Sequence, residues 1–173
     1  RIQVLDRAAA HLNVSPTEVD DKVLGLLDEV QAANKELALL QRALARQGFE
    51  RLMETNVQDV AGLPVLTAVT DGATVATLRE MADWFRAKVG SGVAALGTVV
   101  DDRPLLIVAV TPDLVERGLR AGDLIRPAAK LIGGGGGGKP TLAQAGGRDK
   151  SRLQEAVALV PQLVADAVRD GKK

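Results

Sequence analysis

Val93-Ala94-Ala95-Leu96-Gly97-Thr98-Val99-Val100, Asp101-Asp102-Arg103-Pro104 and Leu105-Leu106-Ile107-Val108-Ala109-Val110 follow one another without a break, and the fold turns on how they are read. Two strongly apolar, β-type runs flank four residues of turn composition, so a hairpin is their natural link. Toward the N-terminus, Leu63 to Thr70 reads as another strand and Asp71-Gly72 as a turn. Thr74 to Lys88 then forms an amphipathic helix carrying Val75, Leu78, Met81, Ala82 and Phe85. Toward the C-terminus, Thr111-Pro112-Asp113 opens a short helix with Thr111 as its cap, and Ala121 to Ile132 forms another. A short strand at Leu142 to Ala145 precedes a closing helix from about Asp149 to Arg169, kinked or interrupted by Pro161. Three or four strands with helices on one or both faces predict an α+β fold with α/β-like layers.

The first third of the chain follows a different period. Ile2, Leu5, Ala9 and Leu12 make one helical stripe. Ser15-Pro16-Thr17-Glu18 supplies a capping serine, a proline at the first helical position and a glutamate three residues on, the pattern of a capping box. The helix that follows carries Val19, Val23, Leu26, Val30, Ala33, Leu37, Leu40 and Leu44 at alternating steps of four and three. That is coiled-coil spacing, held over a rod of roughly 45 Å. Its partner is either the 2–12 helix folded back or a second chain, and the plainer alternative is a helix packed on its own domain. Arg51 and Glu54 fall on the next seam positions, so the rod ends or bends near Phe49 to Asn56. The expected division is a helical stalk over 1–55 and a globular domain over 56–173, with Val23, Leu26, Val30, Leu37, Leu40 and Leu44 as the candidate self-association seam.

Composition narrows the chemistry. Apolar residues make up 46% of the chain and aromatics only 2%, so the core must be built of Ala, Val, Leu and Ile, with Trp84 and Phe85 as large core anchors. There is no cysteine and one histidine, His11, at a helix end where its imidazole suits the dipole; a zinc site is not expected, nor any other cofactor. No apolar run is long enough to span a bilayer and no signal sequence is visible, so a soluble, cytoplasmic setting without a membrane partner is expected. The first residue, Arg1, is consistent with a cut inside a longer protein. Net charge is zero, with 22 basic and 22 acidic residues, but its distribution is uneven. Residues 1–60 hold 7 basic and 10 acidic side chains, whereas 126–152 hold six basic ones (Arg126, Lys130, Lys139, Arg148, Lys150 and Arg152) against Asp149 alone.

Those cations surround Gly133-Gly134-Gly135-Gly136-Gly137-Gly138-Lys139-Pro140. Six glycines leave their amides unscreened and reach positive φ freely, so they are expected to form a loop whose N–H groups converge on an anion such as a nucleic-acid phosphate. The alternative is a flexible linker, although the usual serines are missing. Lys139, Arg148, Lys150 and Arg152 would supply phosphate contacts, and the glycine backbone with Gln144 would recognise a base or nucleoside. Gly133, Gly138 and Lys139 also satisfy the G-x-x-x-x-G-K spacing of a nucleotide-binding loop, but Pro140 stands where Ser or Thr must hold magnesium. The carboxylate pairs Asp20-Asp21, Asp28-Glu29 and Asp101-Asp102 have no basic or nucleophilic partner, and Gly90-Ser91-Gly92 lacks the nucleophile-elbow spacing. No catalytic residues are assigned.

The run Gly133 to Gly147, GGGGGGKPTLAQAGG, resembles the signature of the DHH-associated domain at the C-terminal end of bacterial alanyl-tRNA synthetases. A helical stalk followed by a small mixed domain is similar to that whole region. The resemblance implies a non-catalytic module that binds alanine tRNA at its elbow and helps the aminoacylation and editing domains of the same synthetase act on one molecule. It also implies self-association through the stalk as a homodimer. Lys139 stands where related phosphoesterase domains carry a histidine, which argues against nuclease chemistry.

Overall fold

The computed structural model describes residues 2–170, with Ile2 described by its backbone alone, so its place on the first helical stripe lies outside the described residues. The chain divides into two compact units, Arg1–Leu44 and Ala45–Lys173.

The first unit is helical. Helix α1 (Ile2–Leu12) ends in a turn at Asn13, whose φ of 54° is left-handed. A short 3-10 turn, Pro16–Glu18, then leads into α2 (Val19–Thr55). The glutamate of the capping box is in place: the Glu18 carboxylate accepts from the Ser15 hydroxyl and from the Ser15 N–H at 3.0 Å, and the hydroxyl first, then the N–H, holds that carboxyl below its ordinary range. Along α2 the predicted seam is not covered by α1. Val23, Val30, Leu37, Leu40 and Leu44 are exposed and Leu26 is half-buried.

The second unit begins with the last turns of α2, which belong to its core. Phe49 is fully buried there, with Ala45, Leu52 and Met53 packed beside it. Next come β1 (Val57–Val60), β2 (Leu63–Val69), α3 (Val75–Lys88), β3 (Val93–Val100) and β4 (Arg103–Val110). The chain continues through α4 (Pro112–Glu116), α5 (Ala121–Leu131), β5 (Gly135–Lys139), β6 (Leu142–Gly146), a 3-10 turn at Lys150–Arg152 and α6 (Leu153–Asp170). The fold is α+β as the sequence predicts. Six strands stand where three or four were expected, because β1 and the all-glycine part of β5 carry no apolar alternation. Pro161 does not interrupt α6, which runs through it.

The sheet order is β1-β2-β3-β4-β6-β5, and only β2 and β3 run parallel, joined across α3. The β3–β4 hairpin turns on Asp101 and Asp102 at φ of 47° and 64°, the paired left-handed conformation of a tight two-residue turn. Alternation along the strands sends Val65, Val93, Ala95, Leu106, Val108, Ala143 and Ala145 to one face, against α5 and α6. Leu66, Ala68, Ala94, Leu96, Ile107 and Ala109 go to the other, against α3 and the end of α2. Trp84 on α3 meets Phe49 edge-on at 5.7 Å, and the Arg46 guanidinium lies 5.0 Å from the Trp84 ring.

Candidate nucleic-acid interface

The glycine run is not a loop. Helix α5 ends in a Schellman arrangement: Gly133, at φ of 67°, donates its N–H to Lys130 O at 3.1 Å, and Gly134 donates to Ala129 O at 3.0 Å. From Gly135 the chain is extended and forms the last strand of the sheet, paired antiparallel to β6 in the register Gly135↔Gly146, Gly136↔Ala145, Gly137↔Gln144, Gly138↔Ala143 and Lys139↔Leu142. Successive amides therefore alternate in direction instead of converging, which corrects the expected concavity. The physical reason is that β6 offers a complete ladder, and its hydrogen bonds offset the entropy that the glycine backbone loses on becoming extended.

The ladder shows which amides remain open. Thr141 O accepts from Val110 N–H and Gly147 N–H donates to Pro104 O, so alternate residues of β6 face β4. Leu142, Gln144 and Gly146 consequently face β5 and engage Lys139, Gly137 and Gly135. The main-chain polar groups of Gly136 and Gly138 point off the free edge of the sheet.

Close packing accounts for some of the glycines and not for others. A Cβ on Gly134 would sit 1.8 Å from Gly146 O, one on Gly136 2.7 Å from Ala145 Cβ, one on Gly138 2.4 Å from Leu142 O and one on Gly147 2.1 Å from Ile132 O. A Cβ on Gly135 or Gly137 would meet nothing within 4 Å, and neither residue has a left-handed backbone. These two share the face that carries Gln144, directly opposite Gly137.

The six cations are exposed or half-buried around this hairpin but differ in their engagement. Arg126 pairs with Asp123 at 3.1 Å, Arg152 with Glu155 at 2.6 Å, and Lys150 with Asp102 of the β3–β4 turn. The Glu155 partner raises the Arg152 guanidinium above its ordinary value and is itself held low. Lys130, Lys139 and Arg148 have no ion pair or side-chain hydrogen bond among the described residues. Arg148 is nonetheless fixed at its backbone, since its N–H donates to Ile132 O at 2.8 Å. Gln144 accepts from the Arg79 guanidinium through Oε1 at 2.8 Å. Arg79 escapes sequence reasoning because it lies on α3, 65 residues before its partner, with only the folded sheet to join them.

Elsewhere, Thr111 precedes α4 without a side-chain cap bond; its hydroxyl accepts instead from Gly92 N–H at 3.0 Å. Ser91 donates to Asp113 Oδ2 at 2.6 Å, and this bond, followed by that of Thr111, holds the Asp113 carboxyl below its usual range. No described helix is long and apolar enough to cross a membrane.

Four similarities bear on this hairpin and its sheet. The chain is 41% identical over 163 residues to the alanine–tRNA ligase of Chloroflexus aurantiacus, an alignment covering 94% of this chain and 18% of that protein. It is 43% identical over 153 residues to that of Pelotomaculum thermopropionicum, covering 88% of this chain and 17% of the relative. The chain thus spans less than a fifth of the length of these relatives. Among solved structures it resembles the C-Ala domain of Aquifex aeolicus alanyl-tRNA synthetase, with a TM-score of 0.59 and 25% identity over 64% of this chain and 99% of that one. Residues 62–166, which hold the whole sheet except β1, the glycine hairpin and most of α6, match the DHHA1 domain. On that match, the chain belongs to the DHHA1 domain family.

Proposed function

We propose that this chain is the tRNA-binding C-terminal part of an alanine–tRNA ligase, a module that grips the elbow of the tRNA in the cytoplasm and carries no chemistry of its own. In this role it helps the aminoacylation and editing domains of the same protein act on one tRNA. The observation that carries the reading is the edge of β5: the outward main-chain groups of Gly136 and Gly138, flanked by Lys130, Lys139 and Arg148, whose charges no partner among the described residues neutralises. Backbone N–H groups and unpaired cations together suit phosphate oxygens, which position a nucleic acid without reading its sequence. The similarity to alanyl-tRNA synthetases supplies the kind of nucleic acid.

The test is tRNA affinity measured against salt. Neutralised phosphates release counterions, so log K should fall steeply with log salt, and Lys139→Ala with Arg148→Ala should flatten the slope. A flat dependence untouched by both changes would overturn the reading.

A second reading, a self-association module, is favoured by one observation: Val23, Val30, Leu37, Leu40 and Leu44 lie exposed at seam spacing on α2. It is compatible with the first, since the seam and the glycine edge belong to different units.

A further inference from the structure

We propose that Asp71–Gly72, the turn between β2 and α3, is a modification site: it forms isoaspartate in the folded chain and is a substrate for repair by methyl transfer. The proposal does not depend on the nucleic-acid reading above.

The turn lies between two firmly held ends. On one side Thr70 donates its N–H to Gly97 O at 2.8 Å and its hydroxyl to the same oxygen at 3.2 Å. On the other, Thr74 caps α3 by accepting from Thr77 N–H at 3.1 Å, and Ala73 O accepts from the hydroxyl of the fully buried Thr98 at 3.0 Å. Asp71 and Gly72 are exposed, and among the described residues the Asp71 carboxylate and the Gly72 N–H have no hydrogen-bond partner. No main-chain hydrogen bond closes the turn. Gly72 is left-handed at φ of 71°, and a Cβ on it would meet nothing within 4 Å, so neither a side chain nor a neighbour shields its nitrogen.

A free carboxyl carbon and a free amide nitrogen, joined through the same short piece of chain, are what cyclisation requires. Elsewhere one or the other is engaged. Asp59, Asp102, Asp113, Asp123 and Asp149 hold their carboxylates in hydrogen bonds or ion pairs. Asp28 is followed by an N–H inside the ladder of α2, and Asn56 donates its side-chain amide to Thr67 O. The other Asp-Gly step, Asp170–Gly171, runs past the described residues.

The step balances without a co-reactant. The Gly72 nitrogen attacks Asp71 Cγ, a C–N bond forms, and one carboxyl oxygen leaves as water with the amide and carboxyl protons. Water then cleaves the resulting succinimide at either carbonyl. Opening at Cγ restores aspartate, and opening at the Asp71 main-chain carbonyl leaves the peptide link running through Cβ and Cγ, with the α-carboxylate free. Nothing is oxidised or reduced. A methyltransferase using S-adenosylmethionine can esterify that carboxylate, after which the Gly72 nitrogen closes the ring again and methanol leaves. The isoaspartyl link puts one more methylene into the main chain between Thr70 and Ala73, both of which are pinned. Ala73 O is then drawn off the Thr98 hydroxyl, a buried donor with no other bonded partner among the described residues.

The experiment ages the full 173-residue chain for weeks at neutral pH in water enriched in oxygen-18, with and without unfolding urea. Isoaspartate is counted by methyl transfer from labelled S-adenosylmethionine to a purified isoaspartyl methyltransferase's products and located by peptide mapping, which separates Asp71 from Asp170 because Arg79 and Arg169 are trypsin sites. The expected result is isoaspartate at Asp71 of the folded chain, carrying heavy oxygen. Asp71→Glu, which needs a larger ring, should abolish it. Gly72→Asn, which tolerates the left-handed backbone but crowds the nitrogen, should slow it several-fold. The isoaspartyl fraction should unfold at lower urea than the fresh chain, and repair should restore the midpoint. Isoaspartate at Asp71 only in the urea-unfolded sample, or an equal yield in Asp71→Glu, would overturn the proposal. An unchanged urea midpoint of the isoaspartyl fraction would overturn the consequence drawn for Ala73 and Thr98.

Discussion

Gly134 and Gly146 approach so closely that a Cβ on the first would lie 1.8 Å from the carbonyl oxygen of the second. Gly135, the next residue, has open space where its Cβ would be. The same substitution at adjacent positions should therefore have opposite outcomes. Gly134→Ala must displace backbone of β6 and should destabilise the second unit by about 3 kcal/mol, toward the upper end of overpacking changes. Gly135→Ala should be neutral or stabilising by up to about 1 kcal/mol, through the unfolded state. Urea denaturation of the two variants measures the difference.

Among the described residues the side chains of Lys130, Lys139 and Arg148 have no ion pair, whereas Arg126, Lys150 and Arg152 already have carboxylates. Alanine at each of the first three should lower the salt slope of tRNA binding by about 0.7 to 0.9. Alanine at each of the second three should change it by less than half of that, because the released carboxylate offsets part of the lost charge contact. Filter binding of six single variants over a salt series gives the comparison, and equal slopes for the two sets would contradict it.

Ser91 Oγ donates to Asp113 at 2.6 Å, and the carboxyl titrates below its ordinary range because of that bond. For a carboxylate depressed in the folded state, the added stability is present above the unfolded-state pKa and disappears as pH falls through the folded-state value. Ser91→Ala should thus be less stable than wild type by about 1 kcal/mol at neutral pH. The two should converge as acid protonates Asp113. Thermal melts from pH 7 down to about 3, near and below the ordinary range for Asp, would record the closing gap.

Leu37 is 53% exposed on α2 and occupies the seam. If the seam joins copies of the chain, Leu37→Lys should shift sedimentation from a concentration-dependent dimer to monomer and leave the sheet unit's stability within about 0.5 kcal/mol. An unchanged mass distribution would exclude this face as the site of association.

Much of the architecture was legible because its side chains carry a period. Val75, Leu78, Met81 and Phe85 announce α3, and the apolar runs around Asp101 and Asp102 announce the central hairpin. β1 was not legible: Val57-Gln58-Asp59-Val60 is only four residues long with a polar middle. β5 could not have been, since glycines carry no pattern and its extended form comes from pairing with β6. The cluster of cations was visible in the sequence, and so in principle were the pairs Arg126–Asp123 and Arg152–Glu155, three residues apart. Lys150–Asp102 and Arg79–Gln144 depend on strand register and helix placement, which the local sequence does not encode.

Phe49 completes the apolar layer on the α3 side of the sheet although it is a residue of α2. Any gene fragment or proteolytic product that starts at residue 56 would lose this plug and open to water the apolar cluster it belongs to, Trp84 first, a recipe for aggregation. An excised sheet unit that begins at or before Ala45 keeps its own stopper, and that is where the shortest soluble form of the module should start.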